Sequence, residues 1–507
     1  MRKTIQNSRV VGIDLGTTNT EIAYYDDTGK AKVIPNQDGD LKTPSVVHIG
    51  PGAKEVLVGL AAWNAQLLDP GRTFKEVKRD VGTDKVYLTE GSLQVTPEWC
   101  QTQILKYERQ SAVQHLNDDR AASQAVITVP AYFTEKERQS VKRSAEMAGI
   151  EVLQLINEPT AAGLAFGVNE KQGDRLVLVL DFGGGTLDAS LVNYAGGEAT
   201  VLATHGDKHL GGMDVDHALL HLIREQFAKE HRLDISPESH PADWFALREE
   251  VVRQKHLLTS RTEVKLIARV EGKPVVVPIT RRQLADLIRP LLERVKKITL
   301  EAIQQAKVNK ADIKHVLPVG GSSRLVAFQD LIKGLFGGEC LLLGGVSPDM
   351  AIAEGAAIHA AKLVSAGGAT LVDQALQAIP APAIKHTDVM SHSLGVAVQD
   401  RVSDAEYCSV ILERNTPIPC TASKRYGSVD DHQIHFKIRV IQGEDGQPAK
   451  DCLVVAECEP ELPARSHTEP SIEITMGYDP SGMVKVVVRD LISGKTEDIT
   501  IDFYASK

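Results

Sequence analysis

One structural unit occurs twice in this chain: an apolar strand, an aspartate, a glycine turn with threonine, and a returning strand. The first copy is VVGIDLGTTNT at 10–20 and the second is LVLVLDFGGGTLDASLV at 176–192. Asp14 and Asp181 hold the same place in the two copies and are 167 residues apart. Because internal repeats mark related structural units, we expect two lobes that face each other, each presenting one turn. An accidental repeat is the minor alternative.

Each turn carries the groups that a polyphosphate needs. Glycine lets backbone N–H groups approach phosphate oxygens, hydroxyls orient them, and carboxylates hold Mg²⁺, usually through water. One such stretch alone could equally be a polar hairpin. A third glycine turn, GGSSR at 320–324, makes phosphate binding the better interpretation. The chain has no GxxxxGKS/T and no GxGxxG between a strand and a helix, so a P-loop or dinucleotide fold is unsupported.

Composition narrows the class of protein. The 507 residues suggest about three compact units. A net charge of −10 argues against nucleic-acid binding by phosphate neutralisation. The six cysteines form no CxxC pair, which favours a reducing compartment. No secretory signal or membrane-length apolar run is visible, so we expect a cytoplasmic protein without a membrane partner.

The composition and the hydrophobic pattern of the sequence change after residue 364. Glycines and prolines fill 365–388, which indicates a connector. Beyond it, apolar residues alternate with polar ones over short runs separated by turns such as DPSG at 479–482. This spacing predicts a β-sandwich over 389–507.

Several motifs resemble a known family. GIDLGTTN, VITVPAYF, INEPTAAGLAFG, LDFGGGTLD, GGMDVD, GGSSR and SPDMAIAEGAAIHAA occur in the order found in the nucleotide-binding domain of the 70-kDa heat-shock chaperones, the DnaK-like proteins. SLGV, ERNTPIP and RVIQGE resemble that family's peptide-binding domain. The resemblance implies a two-lobed α/β actin-like ATPase domain (1–364), a linker (365–388) and an all-β sandwich (389–507) without a helical lid. Actins and sugar kinases share the core but not NEPTAA or the sandwich.

The resemblance also implies a site, residue by residue. Asp14 and Asp181 would hold hydrated Mg²⁺, and Lys78, Glu158 and Thr186 would surround the γ-phosphate and the attacking water. The phosphates would lie on Gly16, Thr17, Thr18, Gly183, Gly184, Gly185 and Gly212. The nucleoside would meet Lys255, Thr259, Gly320, Gly321, Ser322, Arg324 and Asp349. Without the resemblance, Lys78 would pass for a surface lysine in a basic run.

The chain departs from the family at three places that bear on function. Val252 replaces a glutamate three residues before Lys255, which weakens nucleoside binding unless Glu249 or Glu250 compensates. The family's leucine-rich linker is IKHTD here (384–388), so ATP-dependent docking of the linker is either weakened or works differently. The peptide pocket would be formed by Gln399, Val429, Phe436 and Ile438. The Phe436 ring either plugs the pocket, reshapes it or is merely core, since alternation puts it on the buried face.

The resemblance implies a slow ATPase that uses ATP/ADP and Mg²⁺, with K⁺ as a further candidate. ATP would control the binding of unfolded or extended polypeptides by the sandwich. A J-domain co-chaperone and a nucleotide exchange factor are the implied partners. The alternative is an ATP-gated module that binds one dedicated protein. An actin-like filament or small-molecule kinase is a third class, which the sandwich argues against.

Overall fold

The computed structural model describes residues 4–66, 68–169, 175–195, 198–342, 347–382, 385–400, 404–428, 436–459 and 471–499. These residues form two α/β lobes and a β-sandwich, which confirms the predicted fold class. Within these ranges, no helix combines the length and the apolar composition needed to cross a membrane.

The helices lie mainly in the two lobes. In chain order they are α1 Leu60–Ala65, α2 Pro97–Leu116, α3 Glu135–Met147, α4 Glu158–Asn169, α5 Gly212–His231, α6 Pro241–Leu257, α7 Arg281–Leu287, α8 Arg289–Gln305, α9 Val326–Phe336 and α10 Ala351–Ala366. Capping boxes begin α3, at Thr134 with Glu137, and α7, at Thr280 with Gln283. These polar side chains satisfy backbone N–H groups that the first helical turn leaves free.

The strands alternate with the helices as far as α10 and then follow one another directly. They are β1 Thr4–Gln6, β2 Val10–Leu15, β3 Asn19–Tyr25, β4 Ala31–Val33, β5 Thr43–Pro44, β6 Val46–Ile49, β7 Val56–Val58, β8 Thr73–Lys75, β9 Leu88–Glu90, β10 Leu93–Val95, β11 Gln124–Val129, β12 Glu151–Asn157, β13 Arg175–Phe182, β14 Leu187–Ala195, β15 Glu198–Asp207, β16 Glu263–Val270, β17 Lys273–Thr280, β18 His315–Val319, β19 Thr370–Val372, β20 Lys385–Val389, β21 Leu394–Gln399, β22 Glu406–Leu412, β23 Pro417–Ile418, β24 Cys420–Tyr426, β25 Ile438–Gln442, β26 Leu453–Cys458, β27 Ile472–Tyr478, β28 Val484–Asp490 and β29 Thr496–Ile499.

Each copy of the sequence repeat is an antiparallel hairpin in the main sheet of its own lobe. Lobe one is built on the sheet β12-β11-β2-β3-β4, and lobe two on β18-β13-β14-β15-β20-β23. In the first hairpin Asp14 lies opposite Glu21, and in the second Asp181 lies opposite Asp188. The apolar residues that precede each aspartate are fully buried, so the core of each lobe fixes the position of its turn.

Helix α10 packs against α4 and against β2 where the lobes join. The contact is too close for ordinary side chains. A Cβ on Gly355 would lie 1.7 Å from the Ala161 carbonyl oxygen, and one on Gly12 would lie 2.1 Å from the Ala357 nitrogen. The run of alanine and glycine in α10 is therefore what allows the backbones to approach.

The C-terminal residues form two four-stranded antiparallel sheets, β22-β21-β25-β26 and β24-β27-β28-β29. Their inner faces share one apolar core, with Val440 and Met476 fully buried on facing sheets. This is the predicted sandwich.

The predicted connector 365–388 contains two strands, and the second docks on lobe two. β20 extends the lobe-two sheet in parallel with β15, pairing Ala199 with His386. Asp388 follows in a buried position, where its Oδ1 accepts a hydrogen bond from Asn157 Nδ2 at 2.9 Å. Polar contacts thus replace the apolar ones expected of the family's linker.

The sandwich itself rests on lobe one. Arg138 Nη1 donates to the Ser481 carbonyl at 3.3 Å, and Gln154 Nε2 donates to the Pro480 carbonyl at 2.7 Å. Val484 N donates to Glu135 Oε2 at 3.1 Å, and Ser391 Oγ donates to the Ala131 carbonyl at 2.6 Å. The DPSG turn is therefore one of the segments through which the sandwich contacts the lobes directly.

Candidate nucleotide site

The two glycine turns meet across the cleft between the lobes. A Cβ on Gly184 would lie 2.0 Å from Thr18 Oγ1, and a Cβ on Gly185 would lie 2.7 Å from Thr17 Oγ1. Only glycine fits at these two places while the threonines of the opposite turn keep their positions. The repeat therefore produces one two-sided cradle of hydroxyls and backbone amides.

Buried carboxylates line the floor of this cradle. Burial raises the pKa of Asp14 to about 7 and that of Asp188 to about 8, and it also raises the pKa of Asp181. The Glu158 carboxylate raises all three further, while Lys78 opposes it. Thr128 Oγ1 donates to Asp14 Oδ1 at 3.0 Å and orients that carboxylate.

Lys78 is buried and ion-paired, which excludes the surface-lysine interpretation. It lies in a short 3-10 turn, and its Nζ is 2.5 Å from Oε1 of Glu158, the first residue of α4. Burial alone would lower the pKa of Lys78, but Glu158, Asp14 and Asp181 together raise it. The lysine is thus held as a cation beside the carboxylates.

A cleft with a cavity volume of about 400 Å³ holds most of the predicted residues. This size suits a small ligand. The predicted residues that line it are Asp14, Gly16, Thr17, Thr18, Lys78, Glu158, Asp181, Gly183, Gly184, Thr186, Lys255, Thr259, Gly320, Gly321, Ser322, Arg324 and Asp349. Gly185 and Gly212 lie behind this lining. The Gly185 carbonyl accepts a hydrogen bond from Arg79, and Gly212 begins α5.

Lys255 is anchored behind the second turn. Its Nζ donates to Asp216 Oδ2 at 2.8 Å and to the Gly212 carbonyl at 3.1 Å. Ser322 Oγ donates to the Gly183 carbonyl at 2.7 Å. These bonds tie the third glycine turn and α6 to the second glycine turn.

The end of the cleft predicted to bind the nucleoside carries two cations paired with one acid. Lys42 Nζ lies 2.9 Å from Asp349 Oδ2, and Arg324 pairs with the same carboxylate. Burial would raise the pKa of Asp349, but hydrogen bonds from Lys42 and Arg324 lower it. Since Lys42 comes from lobe one and Asp349 from lobe two, this pair bridges the lobes.

Val252 supplies no carboxylate at the position where the family has a glutamate, but one nearby glutamate faces the same cleft. Glu249 lines the cleft with Val252, because helical spacing puts both on one face of α6. Glu250 instead accepts a hydrogen bond from Arg253 at 2.6 Å, outside the cavity lining. Of the two candidate replacements, only Glu249 faces the ligand space.

Contacts at the mouth of the cleft join the two lobes. Lys75 Nζ lies 5.3 Å from the Trp63 ring of lobe one, 5.2 Å from the Phe245 ring of lobe two and 3.9 Å from Glu249 Oε1. We call Trp63, Lys75, Phe245 and Glu249 the Lys75 clasp. Burial lowers the pKa of Lys75 to about 8. The clasp lies where it can restrict the exit of a bound ligand.

The carboxylates fit a hydrated divalent cation. Asp14, Asp181 and Asp188 lie close to Glu158, and burial first, then the Glu158 charge, raises their pKa values although Lys78 opposes the shift. In the described part of the chain, no three His, Cys, Asp or Glu side chains are close enough to ligate a metal directly. Ligation through water, as Mg²⁺ prefers, matches both observations.

The structure describes three of the four predicted peptide-pocket residues, and one of the three is exposed. Gln399 is exposed at the end of β21 and pairs with Asp404. Phe436 and Ile438 are 5% and 7% exposed and belong to the sandwich core. Val429 lies outside the described residues.

Three groups in the site were missed by the sequence reasoning: Asp188, Asp216 and Lys42. Asp188 had a usable signal, since it is the second acid of LDFGGGTLD and pairs with Asp181 across the hairpin. Asp216 and Lys42 reach the cleft only through tertiary contacts with Lys255 and Asp349. No local pattern in the sequence marks them.

Comparison with known proteins identifies the family. The family model described as Hsp70 protein matches residues 10–506. The chaperone protein DnaK of Thermosipho africanus is 36% identical over 499 residues, which cover 97% of this chain and 79% of the relative. DnaK of Halobacterium salinarum is 35% identical over 502 residues, covering 98% and 75%. With the two-turn cradle and the sandwich already in place, this chain belongs to the Hsp70 family of ATP-dependent chaperones, whose members are ATPases.

Proposed function

We propose that this chaperone hydrolyses Mg·ATP between its two glycine turns and uses the occupied cleft to hold β20 and the sandwich against the lobes. The observation that carries the proposal is the junction of β12 and α4. There Glu158 holds Lys78 in the cleft at 2.5 Å, and its neighbour Asn157 holds Asp388 of the linker at 2.9 Å. Two adjacent residues thus contact the cleft and the docked linker, which are the two sites that the proposal couples.

The residues have separable roles in this proposal. Thr17, Thr18 and the amides at 183–185 bind the phosphates, and Asp14 and Asp181 hold the hydrated Mg²⁺, which neutralises phosphate charge. Lys78 stabilises charge on the γ-phosphate, and Glu158 orients the attacking water with Thr186 beside it. Positioning and electrostatic stabilisation of this kind supply most of the rate in phosphoryl transfer.

The test separates binding from chemistry. Lys78→Ala should lower the single-turnover hydrolysis rate by about 100-fold or more, because a preorganised charge at the reacting group is lost. ATP affinity should change far less, since the glycine turns remain. Lys85→Ala, an exposed lysine nearby, is the matched control and should hydrolyse ATP normally. Unchanged hydrolysis in Lys78→Ala would remove Lys78 from the mechanism.

We further propose K⁺ as a second cation, supported by the extra buried carboxylate of Asp188 opposite Asp181. Replacing K⁺ by choline should then slow hydrolysis at fixed Mg²⁺, and Asp188→Asn should remove that difference. Equal rates in the two salts would exclude the second cation.

The partners proposed here are unfolded or extended polypeptides, a J-domain co-chaperone and a nucleotide exchange factor, on the strength of family membership. Polypeptides and the J-domain co-chaperone should each change the rate of ATP hydrolysis, and the exchange factor should change the rate of ADP release. An addition that leaves its step unchanged would exclude that partner.

A second candidate is an ATP-gated module for one dedicated protein. The burial of Phe436 in the sandwich core favours it, because that ring occupies apolar space within the domain. A leucine-rich extended peptide that binds Phe436→Val better than the wild type would indicate a plugged pocket. Equal affinity would show that the ring is core only.

A further inference from the structure

Two histidines meet where the linker docks. His386 of β20 and His359 of α10 pack edge to face, with ring centroids 4.3 Å apart. His359 is 2% exposed, and docking also covers most of His386. An apolar side chain in place of His386 would bind no proton, so the histidine pair adds its own pH dependence to docking.

Hydrogen bonds fix both rings as neutral. Gln154 Nε2 donates to the Pro480 carbonyl, so its Oε1 is the acceptor for His359 Nε2–H at 2.9 Å. His359 Nδ1 is buried without a hydrogen-bond partner among the described residues. Lys362 Nζ lies 3.5 Å from His386 Nδ1, which must be the acceptor because an ammonium only donates.

We propose that this histidine pair makes linker docking pH-dependent, so that protonation releases β20 from lobe two as the pH falls below neutral. A proton on His386 Nδ1 would face the Lys362 ammonium. A proton on His359 Nδ1 would be buried with no acceptor. The proposal rests on the proposed function, in which the docked linker is the ATP-bound arrangement.

The charged surroundings favour the neutral pair. Lys362 of α10 faces both rings, and Lys385 of β20 adds a second cation near it. Glu198 of β15 is the acid on this side, and its Oε1 already accepts a hydrogen bond from Thr387 Oγ1 at 3.0 Å. Burial first, and then Lys362, lower the pKa of His386 to about 4, and burial lowers that of His359 well below its usual value.

The sign follows from these shifts. Above about pH 6.5 neither the docked nor the undocked histidine carries a proton, so docking is unaffected. Below about pH 6.5 the undocked histidine is protonated, whereas the docked histidine stays neutral. For His386 alone, docking should weaken about tenfold between pH 7.5 and 5.5.

Other groups at the same interface titrate as well. Burial raises the pKa of Asp388 and raises that of Glu135 to about 7, so acid favours docking through them. Burial lowers the pKa of His392, which acts in the opposite direction. All three remain in a His386 variant, so the difference between wild type and variant isolates the histidine pair.

The experiment uses the full chain saturated with Mg·ATP, with occupancy checked at each pH. Hydrogen exchange of the amides at 385–389, corrected for the intrinsic rate, is measured at pH 7.5 and 5.5. Between pH 7.5 and 5.5, wild-type protection should fall about tenfold relative to that of His386→Leu. Lys362→Met should also lose less, because the docked histidine then tolerates a proton. His221→Gln, an exposed histidine on α5, should behave as the wild type does.

Equal loss of protection in the wild type and in His386→Leu would overturn the inference. If the linker of His386→Leu does not dock at pH 7.5, the loss of protection is compared between the wild type and Lys362→Met, which keeps both histidines. Equal loss in these two proteins would then overturn the inference. A linker that is protected at pH 7.5 and changes its protection to the same extent in the wild type and in His386→Leu overturns the inference alone. A linker that exchanges freely at pH 7.5 overturns the docking proposal with it.

Discussion

At the scale of single residues, the cradle holds more negative charge than the protein itself balances. Asp14, Asp181 and Asp188 are all nearly inaccessible to water, and Lys78 is the cation among them. Each buried carboxylate in such a site loses hydration without a full ion pair, which strains the ligand-free protein. We interpret this strain as the physical basis of Mg²⁺ binding, since a cation supplies the missing charge.

The strain predicts how the ligand-free protein responds to pH. Since the folded-state pKa of Asp188 is raised to about 8, the folded protein binds a proton that the unfolded chain does not. Its stability should therefore increase as the pH falls from 9 to 6.5, by roughly 1 kcal/mol per pH unit below the raised pKa. Asp188→Asn should be more stable than the wild type at pH 9 and should lack this gain.

Denaturant unfolding at the two pH values measures the difference. Asp119→Asn replaces an exposed aspartate and should follow the wild type. A variant Asp188→Asn with the same pH slope as the wild type would show that Asp188 is not the titrating group.

Residue chemistry also explains how far sequence reasoning could reach. The two turns and their aspartates could be predicted because glycine, threonine and acid within one hairpin carry their own signal, twice. Lys42 and Asp216 could not, because their partners are remote along the chain. The docking of 385–389 was expected to be weakened or to work differently, and the structure docks it through Asp388 and His386.

At the scale of elements, a close backbone contact joins the lobes in addition to the side-chain contacts at the cleft. The approach of α10 to α4 at Gly355 leaves no room for a methyl group, because the atom that a Cβ would meet is a backbone oxygen at 1.7 Å. Gly355→Ala should therefore destabilise the protein by about 2 kcal/mol or more. Thermal unfolding of the ligand-free chain measures it.

Gly334→Ala is the matched control. Gly334 also lies inside a helix, α9, but a Cβ there meets nothing within 4 Å. This change should stabilise the protein by about 0.5–1 kcal/mol through helix propensity. Equal effects at the two positions would contradict the packing account.

The Lys75 clasp predicts the rate of nucleotide release. A cation between two rings with a nearby carboxylate should contribute about 1–2 kcal/mol to cleft closure. Lys75→Met keeps the aliphatic stem and should speed ADP dissociation about 5- to 30-fold. Stopped-flow release of a fluorescent ADP measures it, with the exposed Lys54→Met as control. An unchanged rate would show that the clasp does not limit release.

At the scale of the whole molecule, one short structural junction links the cleft, the linker and the sandwich. Asn157 holds the linker through Asp388 and also accepts from Arg138 Nη2 at 2.6 Å, while Arg138 reaches the Ser481 carbonyl of the sandwich. Glu158, the next residue, belongs to the cleft. A change in the cleft can therefore reach both the linker and the sandwich through a single peptide unit.

The most direct test is single-turnover ATP hydrolysis by the full chain with and without a reduced, denatured protein. We predict that the denatured protein accelerates hydrolysis in the wild type. In Asn157→Ala the basal rate should persist because Lys78 and Glu158 remain paired, but the acceleration should be lost. Equal acceleration in both proteins would contradict coupling through this junction, and no acceleration in the wild type would contradict the chaperone cycle proposed here.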